Sequence, residues 1–141
     1  EAYPVGTSYA DIVKKYQTDG KAPVILVTVN GKLRELHKKL KKDCTIEFVT
    51  TRDPIGHKTY KRSACLILLK AIYDVGGYHN IDKVIIHYSV GSGYYFTMEG
   101  KIDLDQKFLD QVKEQMKDIV RAEIPIIKRS VGTDEAIARF H

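Results

Sequence analysis

The stretch that decides the fold reads Val24-Ile25-Leu26-Val27-Thr28-Val29-Asn30-Gly31-Lys32-Leu33-Arg34-Glu35-Leu36-His37. Pro23–Val29 is rich in β-branched and apolar residues, which is typical of a strand. Asn30-Gly31 follows at once, and this dipeptide favours a two-residue hairpin turn because both residues accept a positive φ. Leu33–His37 is therefore predicted to return as a second strand.

A helix and a further strand flank this hairpin. Ser8–Gln17 is predicted to form a short helix, with Ser8 as its cap and Asp11 at the capping-box position. Thr45–Thr50 alternates apolar and polar residues and predicts another strand. The set suggests a small β-grasp unit that lacks its first strand, and Glu1–Tyr3 is expected to be the tail of that strand.

The next part of the chain begins with a turn-rich stretch, Thr51–Gly56, which is predicted to be a linker. His57–Tyr73 then predicts a helix. Its second half, Ala64–Ile72, is apolar on nearly every face, which predicts a buried central helix. Gly76-Gly77 is predicted to end it.

A hairpin and a helix are predicted to follow. Lys83–Tyr88 and Tyr94–Met98 are the two strands, joined by a turn at Gly91-Ser92-Gly93. Asp103 is predicted to cap the helix, with Gln106 at the box position. The helix should lie on a sheet through one apolar stripe: Leu104, Phe108, Val112, Met116, Ile119 and Val120.

The end of the chain predicts three short features. Pro125 should stop the preceding helix, Ile126–Lys128 should form a strand, and Thr133 should cap a last helix that runs through Phe140. The predicted fold class is therefore α+β.

Composition limits the class of protein. The chain has 141 residues, of which 43% are hydrophobic and 29% are charged, as in globular domains and unlike disordered chains. The longest apolar run, Ala64–Leu69, is too short to span a bilayer. Two cysteines, Cys44 and Cys65, are too few for a disulfide framework or a cysteine-based zinc site, so a reducing, cytoplasmic location is expected.

Charge is unevenly distributed. The formal net charge is +5, and most of the excess lies before residue 60. One segment concentrates it, against Glu35 alone: Lys32, Arg34, Lys38, Lys39, Lys41 and Lys42. Such a patch can attract phosphate backbones. The alternative is a solvated turn that keeps a small domain in solution.

Residues that could carry chemistry are few. The chain has no GxxxxGK[ST] loop, and no two histidines are four residues apart. His87 precedes the Gly91–Gly93 turn and either faces a groove with neighbouring tyrosines or packs at the rim of the core. Tyr94-Tyr95-Phe96 offers rings that stack bases, although strand aromatics more often form cross-strand pairs.

Five segments, in order, resemble one family. Val29–Leu36 resembles the "VNG" hairpin of TGS domains, the ubiquitin-like β-grasp modules that open threonyl-tRNA synthetases, and Thr51–Gly56 resembles the exit from that module. Lys61–Leu68 resembles a helix of the synthetase's second domain that reads RHSxAHLL. Gly93–Phe96 resembles its GFYYD hairpin, and Glu123–Phe140 resembles the segment ending in EAxxxF.

The resemblance implies a TGS module at residues 1–52 and a second-domain-like α+β module at 57–141, incomplete at its C-terminus.

The departures from this family concern its hydrolytic editing site. The two editing histidines of the helix are matched by Arg62 and Leu66, and neither residue can act as a base or a metal ligand. The family's later Cys and His are not matched, because the chain ends at His141. The resemblance therefore implies the scaffold without catalytic or metal-binding residues. A vestigial editing groove is expected at Arg62, Leu66, His87, Tyr94 and Tyr95.

Three hypotheses for function follow from the resemblance. The first is a non-catalytic regulatory region of a uridine-kinase-like phosphotransferase, in which ATP and Mg belong only to a kinase domain beyond His141. The second is the tRNA-facing region of a threonyl-tRNA synthetase or paralogue, with the basic segment on the acceptor arm. The third is a nucleotide or small-ligand sensor in which Arg62 holds a phosphate or carboxylate. None of the three places this chain in a membrane or gives it a cofactor of its own.

Overall fold

Four helices and five strands make up most of residues 1–91 and 93–140, the part of the chain that the computed structural model describes. The fold is α+β. The elements are α1 Tyr9–Lys14, β1 Val24–Val29, β2 Lys32–Glu35, β3 Ile46–Thr50, α2 Pro54–Gly76, β4 Ile81–Val90, β5 Gly93–Gly100, α3 Gln106–Arg121 and α4 Thr133–Phe140.

Contacts divide the chain into two compact units, Glu1–Leu69 and a second that starts at Lys70, so the division falls within α2. The resemblance predicts modules at 1–52 and 57–141. Those bounds come from similarity to a family, whereas the two units are defined by contacts, so the modules stay a prediction. Among residues 1–91 and 93–140, no helix combines the length and apolar character that crossing a membrane requires.

The first unit is built on a three-stranded antiparallel sheet in the order β2-β1-β3. The predicted hairpin is confirmed: Val29 pairs with Lys32, and the two turn residues have positive φ, +49° at Asn30 and +77° at Gly31. The central strand β1 carries Val27, which is fully buried.

Helix α1 covers this sheet and completes the first core. Tyr9, Ile12 and Val13 are buried with Val27. The Ser8 hydroxyl accepts the Asp11 N–H at 3.1 Å, which confirms the predicted cap. The helix ends at Lys14, earlier than the predicted Gln17.

Helix α2 differs from its prediction at its start. It begins at Pro54, inside the stretch predicted as a linker, because proline has no N–H to lose at the first helical position. The turn before it is held by Asp53, whose carboxylate accepts the Thr50 N–H at 2.7 Å and the Thr50 hydroxyl at 2.9 Å.

The prediction that Ala64–Ile72 is a buried helix segment is wrong for most of its length. Ala71 and Ile72 are buried, but Leu66 is 50% exposed and its neighbours Ile67, Leu68 and Leu69 are half-buried. Apolar residues on every face predict burial only where other elements surround a helix. The described residues leave the face at Leu66 uncovered.

The second unit contains the predicted hairpin of β4 and β5, which pair from Ile81 with Gly100 to Val90 with Gly93. Both strands are longer than predicted, and Ser92 of the predicted turn lies outside the described residues. Gly77 ends α2 as predicted: its φ is +80°, and its N–H donates to the Tyr73 carbonyl at 2.9 Å.

Helix α3 confirms most of the predicted stripe, since Phe108, Val112 and Ile119 are buried and Met116 is half-buried. Its cap is Asp105, not the predicted Asp103, and the Asp105 carboxylate accepts the Phe108 N–H at 2.7 Å. Leu104 and Val120 are 43% and 60% exposed. Leu104 precedes the helix, and Val120 points about 100° away from Ile119.

Three predictions near the C-terminus are wrong. The helix ends at Arg121, so Pro125 is not what stops it, and Ile126–Lys128 is not a strand. This segment has no strand partner among the described residues, and Ile127 is 80% exposed.

Thr133 is the first helical residue of α4 and not its cap, because the Gly132 carbonyl accepts the Ala136 N–H at 3.0 Å. His141 lies outside the described residues.

Replacing Gly56 by alanine should lower the free energy of unfolding. Glycine in a helix interior normally costs about 1 kcal/mol relative to alanine. A Cβ at Gly56, however, would clash with the Thr50 carbonyl oxygen. We therefore expect Gly56→Ala to destabilise by more than about 2 kcal/mol in urea unfolding. Gly93→Ala is the control, because its Cβ would meet only an ordinary contact at 3.7 Å. A more stable Gly56→Ala protein would contradict this packing.

Acid should weaken the turn at Asp53. The Thr50 backbone N–H and hydroxyl lower the pKa of Asp53. A lowered pKa in the folded state stabilises the protein at neutral pH, and this contribution is lost as the pH falls through the folded pKa. Asp53→Asn should therefore be less stable than wild type at pH 7, and the difference should shrink towards pH 2. Asp43→Asn, at an exposed position, serves as the control, and a pH-independent difference at Asp53 would count against the account.

Candidate nucleic-acid interface

The basic segment lies along β2 and the loop that precedes β3. Lys32 and Arg34 are on the strand, and the other four lysines follow it. Leu36 and Leu40 are half-buried and pack against the first core, whereas all six cations are exposed: Lys32, Arg34, Lys38, Lys39, Lys41 and Lys42. The two leucines thus anchor the segment while its charges face water.

Backbone hydrogen bonds hold this segment against the start of α1. The carbonyls of Leu36 and Lys38 accept the Ala10 and Tyr9 N–H groups, each at 2.9 Å. The Leu40 N–H donates to the Thr7 carbonyl at 2.8 Å. The loop that carries four of the six charges is therefore bonded twice to the first turn of α1 and once to Thr7, which precedes the helix.

Most of the basic residues surround one concave surface. A cavity of about 430 Å³ in the first unit is lined by Arg34, Lys38, Lys39, Lys41 and Lys42. Lys32 is not among its lining residues. Tyr9, Asn30 and Cys44 also line it. These three uncharged residues were not predicted as part of a binding surface, because that prediction used charge alone. Asn30 was predicted only as a residue of the hairpin turn.

The electrostatics of this cavity favour an anion. The first unit has 13 basic and 7 acidic residues, a formal charge of +6, against −1 for the second unit. Glu35 is the acidic residue in the lining. Ion pairs seen among the described residues involve cations elsewhere, among them Lys14, Lys70, Lys117, Arg121 and Arg129. Exposed cations outside such pairs remain available to phosphate groups.

The residues of the expected editing groove lie in different units. Arg62 and Leu66 are exposed residues of α2 in the first unit, and His87, Tyr94 and Tyr95 belong to the hairpin of the second. A groove formed by all five stays a prediction, and so does a ligand held by Arg62.

The hairpin aromatics are divided between the two faces of their sheet. Side chains alternate along a strand, so Tyr94 and Phe96 share one face and Tyr95 points to the other. Phe96 is half-buried opposite Ile86. His87 is exposed, and its Nε2 lies 2.8 Å from the Thr97 Oγ1. The three consecutive rings therefore do not form one stacking surface.

Metal-binding groups are not clustered in the region that the structure describes, where no three His, Cys, Asp or Glu residues come together. The expectation that this chain has no metal or cofactor of its own stays a prediction.

Comparison with curated proteins finds relatives of one enzyme class. No family model matches the chain. It is similar to a segment of threonine–tRNA ligases. The identity is 26% over 138 residues for the enzyme of Hyphomonas neptunium, 28% over 140 for Thermotoga petrophila and 30% over 137 for Thermotoga neapolitana. These matches cover 98%, 99% and 95% of this chain, but 20%, 21% and 20% of the relatives.

These relatives bear on two of the three hypotheses drawn from the resemblance. The chain spans about a fifth of the length of the curated relatives that it matches. Their similarity favours the synthetase alternative over the uridine-kinase-like interpretation, which gains no support from them.

Hydrogen exchange should report how the basic segment is held. The amides of Tyr9, Ala10 and Leu40 donate to carbonyls across the contact between α1 and the segment. We expect these amides to exchange more slowly than those of Lys41 and Lys42, because amides without a hydrogen-bond partner exchange readily. The measurement is residue-resolved exchange by NMR at neutral pH. Equal rates for the two groups would show that the segment is not fixed to α1.

Proposed function

We propose that this chain is an RNA-binding region of a threonyl-tRNA-ligase-like protein and that it binds tRNA through phosphate contacts at the basic cavity. The observation that carries the proposal is the convergence of five exposed cations around one concave surface. The threonine–tRNA ligase relatives supply the class of nucleic acid, since tRNA is in their name.

The proposed contact is electrostatic and carries little sequence information. Lysine and arginine side chains that reach phosphate oxygens fix the position of a protein on RNA, but they do not read bases. Each phosphate that is neutralised releases condensed counterions, so affinity falls as salt concentration rises. Leu36 and Leu40 pack against the first core and so hold the loop from which four of the six cations extend. Cations that extend from one held loop can contact successive phosphates of a backbone.

The proposed function does not include hydrolytic editing by this chain. The positions that match the family's editing histidines hold Arg62 and Leu66. A guanidinium stays protonated at any physiological pH, and leucine has no group that transfers a proton or binds a metal. This part of the proposal rests on the resemblance and on the chemistry of these two side chains.

Removing charges from the cavity should weaken tRNA binding in a salt-dependent way. We expect Lys38→Gln combined with Lys41→Gln to make the plot of log affinity against log salt less steep. The magnitude of its negative slope should fall by about 2, roughly one for each phosphate that is no longer neutralised. The measurement is fluorescence anisotropy with labelled threonine tRNA between low and physiological salt.

The matched control is Lys21→Gln combined with Lys58→Gln, which removes the same charge from exposed positions outside the cavity. An equal loss in both double variants would mean that net charge alone attracts the RNA. Absence of binding at low salt would refute the proposed function.

A further inference from the structure

The outer face of the β4–β5 hairpin carries a cluster of three exposed aromatic rings, here called the hairpin platform: His87, Tyr88 and Tyr95. Tyr88 is 62% exposed and Tyr95 47%. Ring centroids lie 5.3 Å apart for His87 and Tyr95, 5.6 Å for Tyr88 and Tyr95, and 6.4 Å for His87 and Tyr88. The ring planes of these pairs are inclined by 36°, 31° and 64° in the same order, so the rings form one cluster in which a flat base can stack on one ring face at a time.

An irregularity in the sheet produces this cluster. Ile86 pairs with Phe96 and Tyr88 pairs with Tyr95, so His87 is an extra residue on β4. Consecutive side chains of a regular strand point to opposite faces, but a bulge re-aims the extra one. His87 and Tyr88 thus both contact Tyr95. The bond between His87 Nε2 and Thr97 Oγ1, 2.8 Å long, fixes the imidazole on this face.

We infer that the hairpin platform binds an unpaired nucleobase by stacking. Tyrosine and histidine rings stack on any base, because every base has a π-face. The rings end in hydroxyl and imidazole groups, which tolerate water around a bound base. This inference goes beyond the proposed function, because the platform lies in the second unit and involves none of the basic residues.

The exposed area of the hairpin platform fits a nucleobase better than a protein partner. A tyrosine side chain offers about 200 Å² in total. Three partly exposed rings therefore present a few hundred Å² at most, well below the roughly 800 Å² per partner of a stable protein interface. One or two bases match that area. The second unit has a formal charge of −1, so stacking, and not phosphate attraction, must carry this contact.

The test compares two ligands of equal charge. One is a single-stranded adenine pentaribonucleotide, and the other is the same strand with abasic sugars at its three central positions. Wild-type chain should bind the first about tenfold more tightly. Tyr88→Leu and Tyr95→Leu should each abolish this difference and leave the affinity for the abasic strand unchanged. Leucine keeps an apolar side chain in the cross-strand pair, so the hairpin can fold.

Tyr60→Leu is the matched control, since Tyr60 is 57% exposed and lies outside the hairpin. It should keep the tenfold preference. Equal affinity of wild type for the two strands would overturn the inference, as would an unchanged preference in Tyr88→Leu and Tyr95→Leu. A wild-type dimer that Tyr88→Leu dissociates in sedimentation would assign the platform to self-association instead.

A second measurement keeps this inference separate from the proposed function. Adenosine has no phosphate, so the basic cavity cannot hold it by charge. Adding adenosine should shift the ring resonances of Tyr88 and Tyr95 in NMR but not those of Tyr60. If neither strand binds, the phosphate contacts of the proposed function fail, and the adenosine shifts alone decide on the platform. Their absence would overturn it.

Discussion

The first unit depends on the backbone hydrogen bonds between the start of α1 and the segment from Leu36 to Leu40. A helix of six residues does not form alone in water, because nucleation fixes several residues for one hydrogen bond. Its first N–H groups would also be unpaired, since they have no partner within the helix. The carbonyls of Leu36 and Lys38 accept two of them. The same bonds hold the lysines in place, so helix, core and basic cavity form together.

Local signals predicted the parts of the fold that local chemistry decides. The turn at Asn30-Gly31 and the helix end at Gly77 require positive φ, and glycine and asparagine provide it wherever they stand. Four of the six stripe residues around α3 also followed from spacing alone. The cap of that helix did not: Asp103 and Asp105 have the same chemistry, and the position of the preceding turn selects Asp105.

Features that depend on a distant partner were not predictable from the chain. Ile126–Lys128 has the composition of a strand, but a strand also needs a neighbour to bond with. Leu66 lies in an apolar run, yet burial depends on what surrounds it. The bulge at His87 belongs to the same group. The sequence identified His87 and its tyrosine neighbours as residues of interest, but pairing register, which sequence does not show, decides that Tyr88 and Tyr95 share a face and Tyr94 does not.

The division of charge between the units separates two physical modes of binding nucleic acid. A unit with a formal charge of +6 attracts phosphates over distances set by the Debye length, about 8 Å at physiological salt, and loses this attraction as salt rises. Aromatic stacking acts only on contact and depends little on salt. In the first unit, the proposed binding would be controlled by charges that lie outside the core. In the second, it would be controlled by ring faces that a single extra residue in β4 turns to the same side. Since the two modes respond differently to salt and to base removal, each can be measured in the intact chain while the other is held constant.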